Sequence, residues 1–301
     1  MTRTGTTQAH LRRALRHEVP STVGLLADEH DFTAMRRYRT FVFDDHTTYL
    51  RQVEALLKTL ATQGGHTTVA LFDPEEYAAY CAETTIDPDH PVSRSRFTAH
   101  LAATGAHVTY TGQPLSTLLP ELIDTAVRHA TWEYATTVLA TAGDCATCGK
   151  DIGKAAFERA ARLLARLLDA AGPGTHHLVC SVPAADDQLI AVLHAHGTPQ
   201  PTTTVDDAAA AEFTAVLAAG ITLGTPGGLV LRTSNPGDRD RLHGWRLTGG
   251  ALTPLTEAEV FAAYCTDART GEPLSPEPGV DHRAGFPLAP DPDPDDWTTH
   301  H

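Results

Sequence analysis

Strand-like and helix-like segments alternate over the first part of the chain, and this alternation restricts the fold more than any other feature. We predict strands at residues 38–45 (YRTFVFDD), 67–72 and 107–112, where β-branched and aromatic residues cluster. The segments between them carry apolar residues at helical spacing. This order is typical of a parallel sheet with crossover helices, so the sequence predicts a three-layer α/β fold with a mostly parallel sheet.

The rest of the chain continues the mixed pattern. Further helices are predicted at residues 120–143, 151–174, 186–197, 206–220 and 256–265, and further strands at residues 176–182, 227–234 and 244–255. A turn rich in Asn, Pro, Gly and Asp separates the last two strands, which predicts an antiparallel edge pair.

We predict one domain with an extension at each end. Residues 1–37 would form a basic helical arm, with its helix at residues 8–19, and residues 38–270 would form the α/β domain. Residues 271–301 are rich in Pro and Asp and lack an apolar period, which predicts an extended or disordered arm.

The composition argues against nucleic acid and membranes as partners. The 301-residue chain has a formal net charge of −14, which repels phosphate backbones and anionic lipids. It contains no stretch of about 18 apolar residues, and its N-terminus lacks an apolar signal core, so we expect a cytoplasmic protein. Thiols stay reduced there, and five cysteines, an odd number, do not indicate a disulfide framework.

Two cysteines, Cys145 and Cys148, are separated by two residues in the segment GDCATCGKDIG. Two thiolates at this spacing reach one tetrahedral ion, and the glycine after them permits a tight turn, so the motif indicates a structural zinc site. A redox pair and an ordinary turn with two inert thiols are the alternatives. Zinc needs two further ligands. We expect them among His129, His176, His177 and Cys180, with His176 and Cys180 as the first choice, or from the same cysteine pair of a second subunit in a homodimer.

Carboxylates follow two of the predicted strands. Asp44 and Asp45 end the first strand, with His46 next to them, and Asp73 follows the second strand. Parallel neighbours end at one edge of a sheet, so these aspartates could hold Mg²⁺ there, with His46 as a base. The alternative is that the aspartates cap the helices that follow, since Asp73 precedes Pro74 at a favourable first-turn position.

Strong catalytic motifs are missing from the sequence. It contains no glycine fingerprint after the first predicted strand, no GxxxxGK[ST] and no GxSxG. We therefore predict a regulatory or protein-interaction protein, a homodimer with a structural zinc and a protein partner. The alternative is a hydrolase or phosphoesterase that depends on Mg²⁺ or Mn²⁺ and acts at the carboxylate edge of the sheet.

Overall fold

The computed structural model of the chain describes residues 21–64, 66–185, 188–198, 203–267 and 270–289. The chain divides into two compact units, Met1–His129 and Ala130–His301. The sequence led us to expect one domain over residues 38–270, whereas the division falls inside a long helix. The helix expected at residues 8–19 lies outside the described residues. Among the helices that the structure describes, none combines the length and the apolar character needed to cross a lipid bilayer.

The first unit combines a three-stranded sheet with several helices. Its described elements are, in chain order, β1 (Ser21–Leu25), α1 (Glu29–Met35), α2 (His46–Thr62), β2 (Thr67–Leu71), α3 (Pro74–Glu83), α4 (Pro91–Thr104), β3 (His107–Thr109) and the first half of α5 (Leu115–Thr141). The strand order is β1-β2-β3, in which β1 and β2 run parallel and β2 and β3 run antiparallel.

Aromatic side chains fill the core of the first unit. Phe32, Tyr77 and Phe97 are buried, and the ring centroids of Tyr77 and Phe97 are 5.5 Å apart. Val69 and Ala70 point to opposite faces of β2 and are both fully buried, as expected for a central strand covered on both faces. The carboxyl end of β2 therefore lies in the middle of the sheet edge.

The strand predicted at residues 38–45 is wrong. These residues form turns and a loop, in which Phe41 and Phe43 pack against Tyr49 while Val42 between them is 81% exposed. The parallel partner of β2 is β1, which lies within the segment expected to be a helical arm. The Phe-Val-Phe alternation reflects two aromatic rings that cover α2.

The second unit is built on a larger sheet. Its described elements are the second half of α5, α6 (Ile152–Ala171), β4 (Gly174–Pro183), β5 (Gln188–Gly197), β6 (Thr203–Val205), α7 (Asp207–Leu223), β7 (Gly227–Ser234), β8 (Asp240–Thr248), β9 (Ala251–Pro254), α8 (Glu257–Tyr264) and β10 (Val280–Arg283). The strand order is β10-β8-β7-β4-β5-β6, and β9 pairs with β8.

Helices α6 and α7 cover one face of this second sheet. Residues Glu212–Ile221 of α7 are buried without interruption, because the helix packs against α6 as well as against β4 and β5. A helix that is covered all round must be apolar nearly all round, which explains the Ala-rich sequence of α7. The opposite face of the sheet packs near β8 and β10 against α8, through the buried residues Leu242, Val260 and Val280.

The predicted α/β class is confirmed, and the antiparallel pairing expected for residues 227–234 and 244–255 is found between β7 and β8, although this pair does not lie at the edge of the sheet and the sheets are not mostly parallel. Among the described strands, β1–β2 and β8–β10 are the parallel pairs, and the remaining neighbours are antiparallel. The expectation of a mostly parallel sheet extended the βα alternation of the first unit to the whole chain. The second unit instead brings successive strands together as hairpins.

The helix predicted at residues 186–197 is also wrong, because residues 188–197 form β5. Side chains alternate strictly along this strand, so that Leu189 and Leu193 are buried while Ile190 and Val192 are 49% and 41% exposed. Because both faces of β5 carry apolar residues, the sequence does not show the alternation of apolar and polar residues that is typical of a strand. Pairing with β4 and β6 on either side then favours the strand.

Part of the segment expected to be an extended or disordered arm belongs to the second sheet. β10 pairs in parallel with β8, and the Trp245 indole N–H donates a hydrogen bond to the Phe286 carbonyl oxygen at 3.0 Å. The two rings pack edge to face with centroids 4.8 Å apart. Residues 290–301 of the expected arm lie outside the described residues.

A close backbone contact joins α5 and α6 on either side of the cysteine turn. Gly153, in the first turn of α6, is buried, and a methyl group built there would overlap the backbone carbonyl of Leu139 in α5. Only a residue without a side chain permits this approach. The contact fixes where α6 starts and thereby positions the turn before it.

We expect Gly153→Ala to lower the free energy of unfolding by about 1–3 kcal/mol, because the helices must separate to admit the methyl group. Gly228→Ala in β7 is the matched control, since a methyl group there meets no atom within 4 Å. Its expected change is below about 0.5 kcal/mol. Urea denaturation measures both variants, and equal losses for the two would contradict the close contact.

Candidate functional site

The cysteine turn between α5 and α6 is a short, fully hydrogen-bonded hairpin. Asp144 and Asp151 pair as an antiparallel bridge at its base. The Cys145 N–H donates to the Lys150 carbonyl oxygen, and the Gly149 N–H donates to the Cys145 carbonyl oxygen, each at 2.8 Å. Gly149 has a φ of 70°, a left-handed conformation that glycine adopts without strain. The CxxCG sequence therefore folds into the tight turn that its glycine predicts.

Hydrogen bonds converge on the sulfur of Cys145. The backbone N–H of Cys148 and then that of Thr147 hold the pKa of the Cys145 thiol below its usual range, and the two side chains act in the same direction. Cys145 is 6% exposed, whereas Cys148 is exposed. Such donors stabilise a thiolate, which is the form of cysteine that binds metals or acts as a nucleophile.

His176 is not placed to serve as a metal ligand. It is fully buried in β4, where Nδ1 lies 3.0 Å from the Thr233 hydroxyl and Nε2 lies 2.9 Å from the Gly172 carbonyl oxygen. Burial lowers the pKa of His176, which favours the neutral ring. Both ring nitrogens are engaged in holding the start of β4, which leaves neither for an ion.

Cys180 lies further along β4 within the apolar core between the sheet and its helices. Its side chain is fully buried, and burial raises the pKa of the thiol to about 12. A thiol in this environment stays protonated and packs as a small apolar group. His176 and Cys180 therefore do not complete the coordination that the cysteine turn begins.

Asp45 and Asp73, two of the predicted catalytic carboxylates, cap helices. The Asp45 carboxylate accepts from the Thr48 N–H and hydroxyl, each at 2.7 Å, and these bonds lower the pKa of Asp45. The Asp73 carboxylate accepts from the N–H groups of Glu75 and Glu76 at 2.6 and 3.1 Å. Both arrangements satisfy the unpaired donors of a helix N-terminus.

The two other predicted residues lie near Asp45 but form no catalytic arrangement with it. Asp44 is exposed in the bend before α2. His46 stacks on Tyr49, and its Nε2 lies 3.2 Å from the carbonyl oxygen of Leu26. His46 thus connects α2 to the chain that leaves β1.

A different acidic group occupies the edge where β1 and β2 end. Asp28 and Asp31 follow β1, with His30 between them. One carboxylate oxygen of each aspartate and one ring nitrogen of His30 all lie within 4.8 Å of one another. Desolvation and then the charge of Asp28 raise the pKa of Asp31, and the charge of Asp73 adds to this effect. This carboxylate edge therefore comprises Asp28, His30, Asp31 and Asp73, which is where parallel strands place ligand-binding groups.

Sequence reasoning missed Asp28 and Asp31 because it placed the first strand at residues 38–45. The available signal was the sequence STVGLLAD, an apolar segment that ends in an aspartate in the same way as TTVALFD at β2. Within the described residues, this Asp28, His30 and Asp31 group is the one set of three or more side chains close enough to hold a metal ion.

Comparison with known proteins adds one match. A family model described as a domain of unknown function (DUF8829) matches residues 10–113. The matched residues cover the sheet of the first unit, including the carboxylate edge, and end before α5 and the cysteine turn. No curated protein and no solved structure matches the chain.

Asp73→Ala should lower the free energy of unfolding by about 1 kcal/mol through loss of the α3 cap. Asp73→Asn keeps an oxygen that accepts from the same N–H groups, so its stability should stay close to that of the unchanged protein. Thermal or urea unfolding compares the two. A loss with asparagine as large as that with alanine would show that the charge of Asp73, and not its capping oxygen, is what matters.

Proposed function

We propose that the protein is a metal-linked interaction module, in which Cys145 and Cys148 supply two of the four ligands of a zinc ion. The observation that carries this proposal is the set of backbone N–H groups directed at the Cys145 sulfur within a CxxCG hairpin. These donors disperse the negative charge that a metal-bound thiolate retains. The turn is thus arranged as half of a tetrahedral thiolate site.

A second copy of the same turn is the proposed source of the other two ligands. His176 and Cys180 are committed elsewhere, and among the described residues no third metal-binding side chain lies with the two cysteines. Cys148 is exposed, so it can reach a partner. Two such turns facing each other across a two-fold axis would make a closed site of four sulfurs.

The surroundings of the turn support this assignment. Two of the three lysines of the chain, Lys150 and Lys154, follow the cysteines closely in sequence. Four thiolates around one Zn²⁺ ion have a net charge of about −2, and nearby lysine side chains would offset part of that negative charge. Trp132 and Tyr134 are 36% and 43% exposed on α5, in the same unit as the turn. Exposed aromatic residues of this kind are enriched in protein interfaces.

Protein prepared with ample zinc should contain one zinc per two chains and sediment as a dimer. Cys148→Ser should abolish both properties while leaving the fold intact, because Cys148 is exposed and serine is close to cysteine in size. Cys81→Ala, which removes a buried thiol of the first unit, is the control and should retain the metal. Elemental analysis and analytical ultracentrifugation give the two readouts.

A zinc-free monomer obtained under the same conditions would overturn the proposal. So would a dimer that persists unchanged in Cys148→Ser, since the contact would then not depend on the metal. Reducing conditions throughout exclude a disulfide between the two copies as the cause of dimerisation.

Hydrolysis assisted by Mg²⁺ or Mn²⁺ at the carboxylate edge is a second candidate function. The observation that favours it is the grouping of Asp28, His30 and Asp31, with the charge of Asp73 near enough to raise the pKa of Asp31. Carboxylates that repel one another gain a common counter-ion when a divalent cation binds. The metal would activate a water molecule and stabilise charge on a phosphoester substrate.

For this second candidate, we expect turnover of bis(p-nitrophenyl) phosphate that saturates with Mn²⁺. Asp31→Asn should abolish the turnover without lowering the free energy of unfolding, because the substitution relieves repulsion. Asp45→Asn is the control, since Asp45 caps α2 outside this group and asparagine caps equally well. Turnover that is absent with Mn²⁺, or that survives Asp31→Asn, would rule the candidate out.

A further inference from the structure

The second unit contains a cavity of about 330 Å³ on the face of its sheet that α6 and α7 leave uncovered. Strands β4, β7, β8 and β10 form its floor, and the end of α8 and residues 274–277 form its opposite wall. This volume lies at the lower end of the range for sites that bind small molecules. The cavity shares no residue with the cysteine turn or with the carboxylate edge.

A single row of side chains crosses the floor of the cavity. The strand register pairs His177 with Arg232, Arg232 with Leu242, and Leu242 with His282, so all four side chains point to the same face. Val179 and Val230, which are paired with each other on the same face, provide an apolar part of the lining. The floor thus combines one guanidinium group with apolar surface.

Arg232 is held in place by one carboxylate and presents its outer edge to another. Its Nε lies 2.6 Å from Asp240 Oδ2, which fixes the plane of the guanidinium group. Its Nη1 and Nη2 donate to the two carboxylate oxygens of Glu277, each at 3.0 Å. This is the two-bond geometry by which arginine recognises carboxylates.

Glu277 is the more exposed of the two carboxylates that contact Arg232. Its side chain is 60% exposed, compared with 22% for Asp240. A carboxylate from outside the chain could therefore take the place of Glu277 without disturbing the Asp240 contact.

The histidine paired with Arg232 on the floor, His177, is shifted toward its uncharged form. Desolvation lowers the pKa of His177, and the neighbouring His194, stacked at 4.7 Å, and Arg232 lower it further. The sulfur of Cys265 lies 4.0 Å from His282 Nε2 and follows the C-terminal end of α8.

We propose that this cavity binds a small organic carboxylate with an apolar body, whose carboxylate group replaces Glu277 on Arg232. The two N–H donors of the guanidinium edge hold the carboxylate, and the apolar residues of the floor and of the opposite wall, among them Val230 and Leu274, cover the body of the ligand. Glu277 occupies the position of the ligand's carboxylate in the unliganded protein. The cavity contains no residue of the cysteine turn, so carboxylate binding is independent of the proposed zinc site.

Calorimetric titration of the full chain with propionate, hexanoate and 3-phenylpropionate tests this proposal. We expect saturable binding that strengthens with the size of the apolar group, and no binding of 3-phenylpropionamide, which has the same shape without the charge. Arg232→Gln should weaken the binding at least tenfold. Glu277→Gln should tighten it severalfold, because the internal competitor is removed while Arg232 and Asp240 stay in place.

The Glu277→Gln variant keeps the test decisive even if Arg232→Gln fails to fold, since Glu277 is exposed and its replacement is conservative. Three results would overturn the proposal. They are absence of saturable binding for all three carboxylates, equal binding of the amide, or an affinity that Glu277→Gln leaves unchanged or weakens.

Discussion

The arrangement of the second unit depends on the close backbone contact between Gly153 and Leu139. It brings the start of α6 against the end of α5, and the chain between them must then reverse direction within a few residues. The CxxCG hairpin is a solution to that constraint, because Gly149 takes up the left-handed conformation and the Asp144–Asp151 bridge closes the base. The apolar face of α6 packs against α7 and the sheet. Because the cysteine turn directly precedes α6, this packing also positions the turn that holds the two cysteines.

The cysteines and aspartates of this protein show how hydrogen bonding and burial shift the pKa of the same residue type in opposite directions. Cys145 receives N–H donors and its pKa falls, whereas the core surrounds Cys180 and its pKa rises to about 12. Asp45 accepts from the donors of α2 and its pKa falls, whereas Asp31 is partly desolvated and lies near the charge of Asp28, so its pKa rises. The same residue type is therefore structural at one position and available for binding at another.

Sequence patterns predicted those parts of the fold that local interactions determine. The helices that start at Asp45, Asp73, Asp151 and Thr256 were predictable because each has an N-cap before an apolar repeat. The antiparallel β7–β8 pair was also predictable, because a short turn joins its strands. β5 and the pairing of strands that are far apart in the chain, such as β4 and β7, were not. Of the four residues predicted for the metal-carboxylate site, Asp73 lies at the carboxylate edge, whereas Asp28 and Asp31 take the places expected for Asp44 and Asp45, because β1 precedes the segment that resembled a strand. His176 failed as a ligand since its partners, Thr233 and Gly172, come together only in the folded sheet.

X-ray absorption at the zinc edge distinguishes an ion shared by two copies of the cysteine turn from an ion held by one copy. We expect a single shell of four sulfur atoms at about 2.3 Å, since each turn contributes Cys145 and Cys148. A shell of two sulfurs completed by nitrogen or oxygen would contradict it, because the ion would then be held by one copy alone.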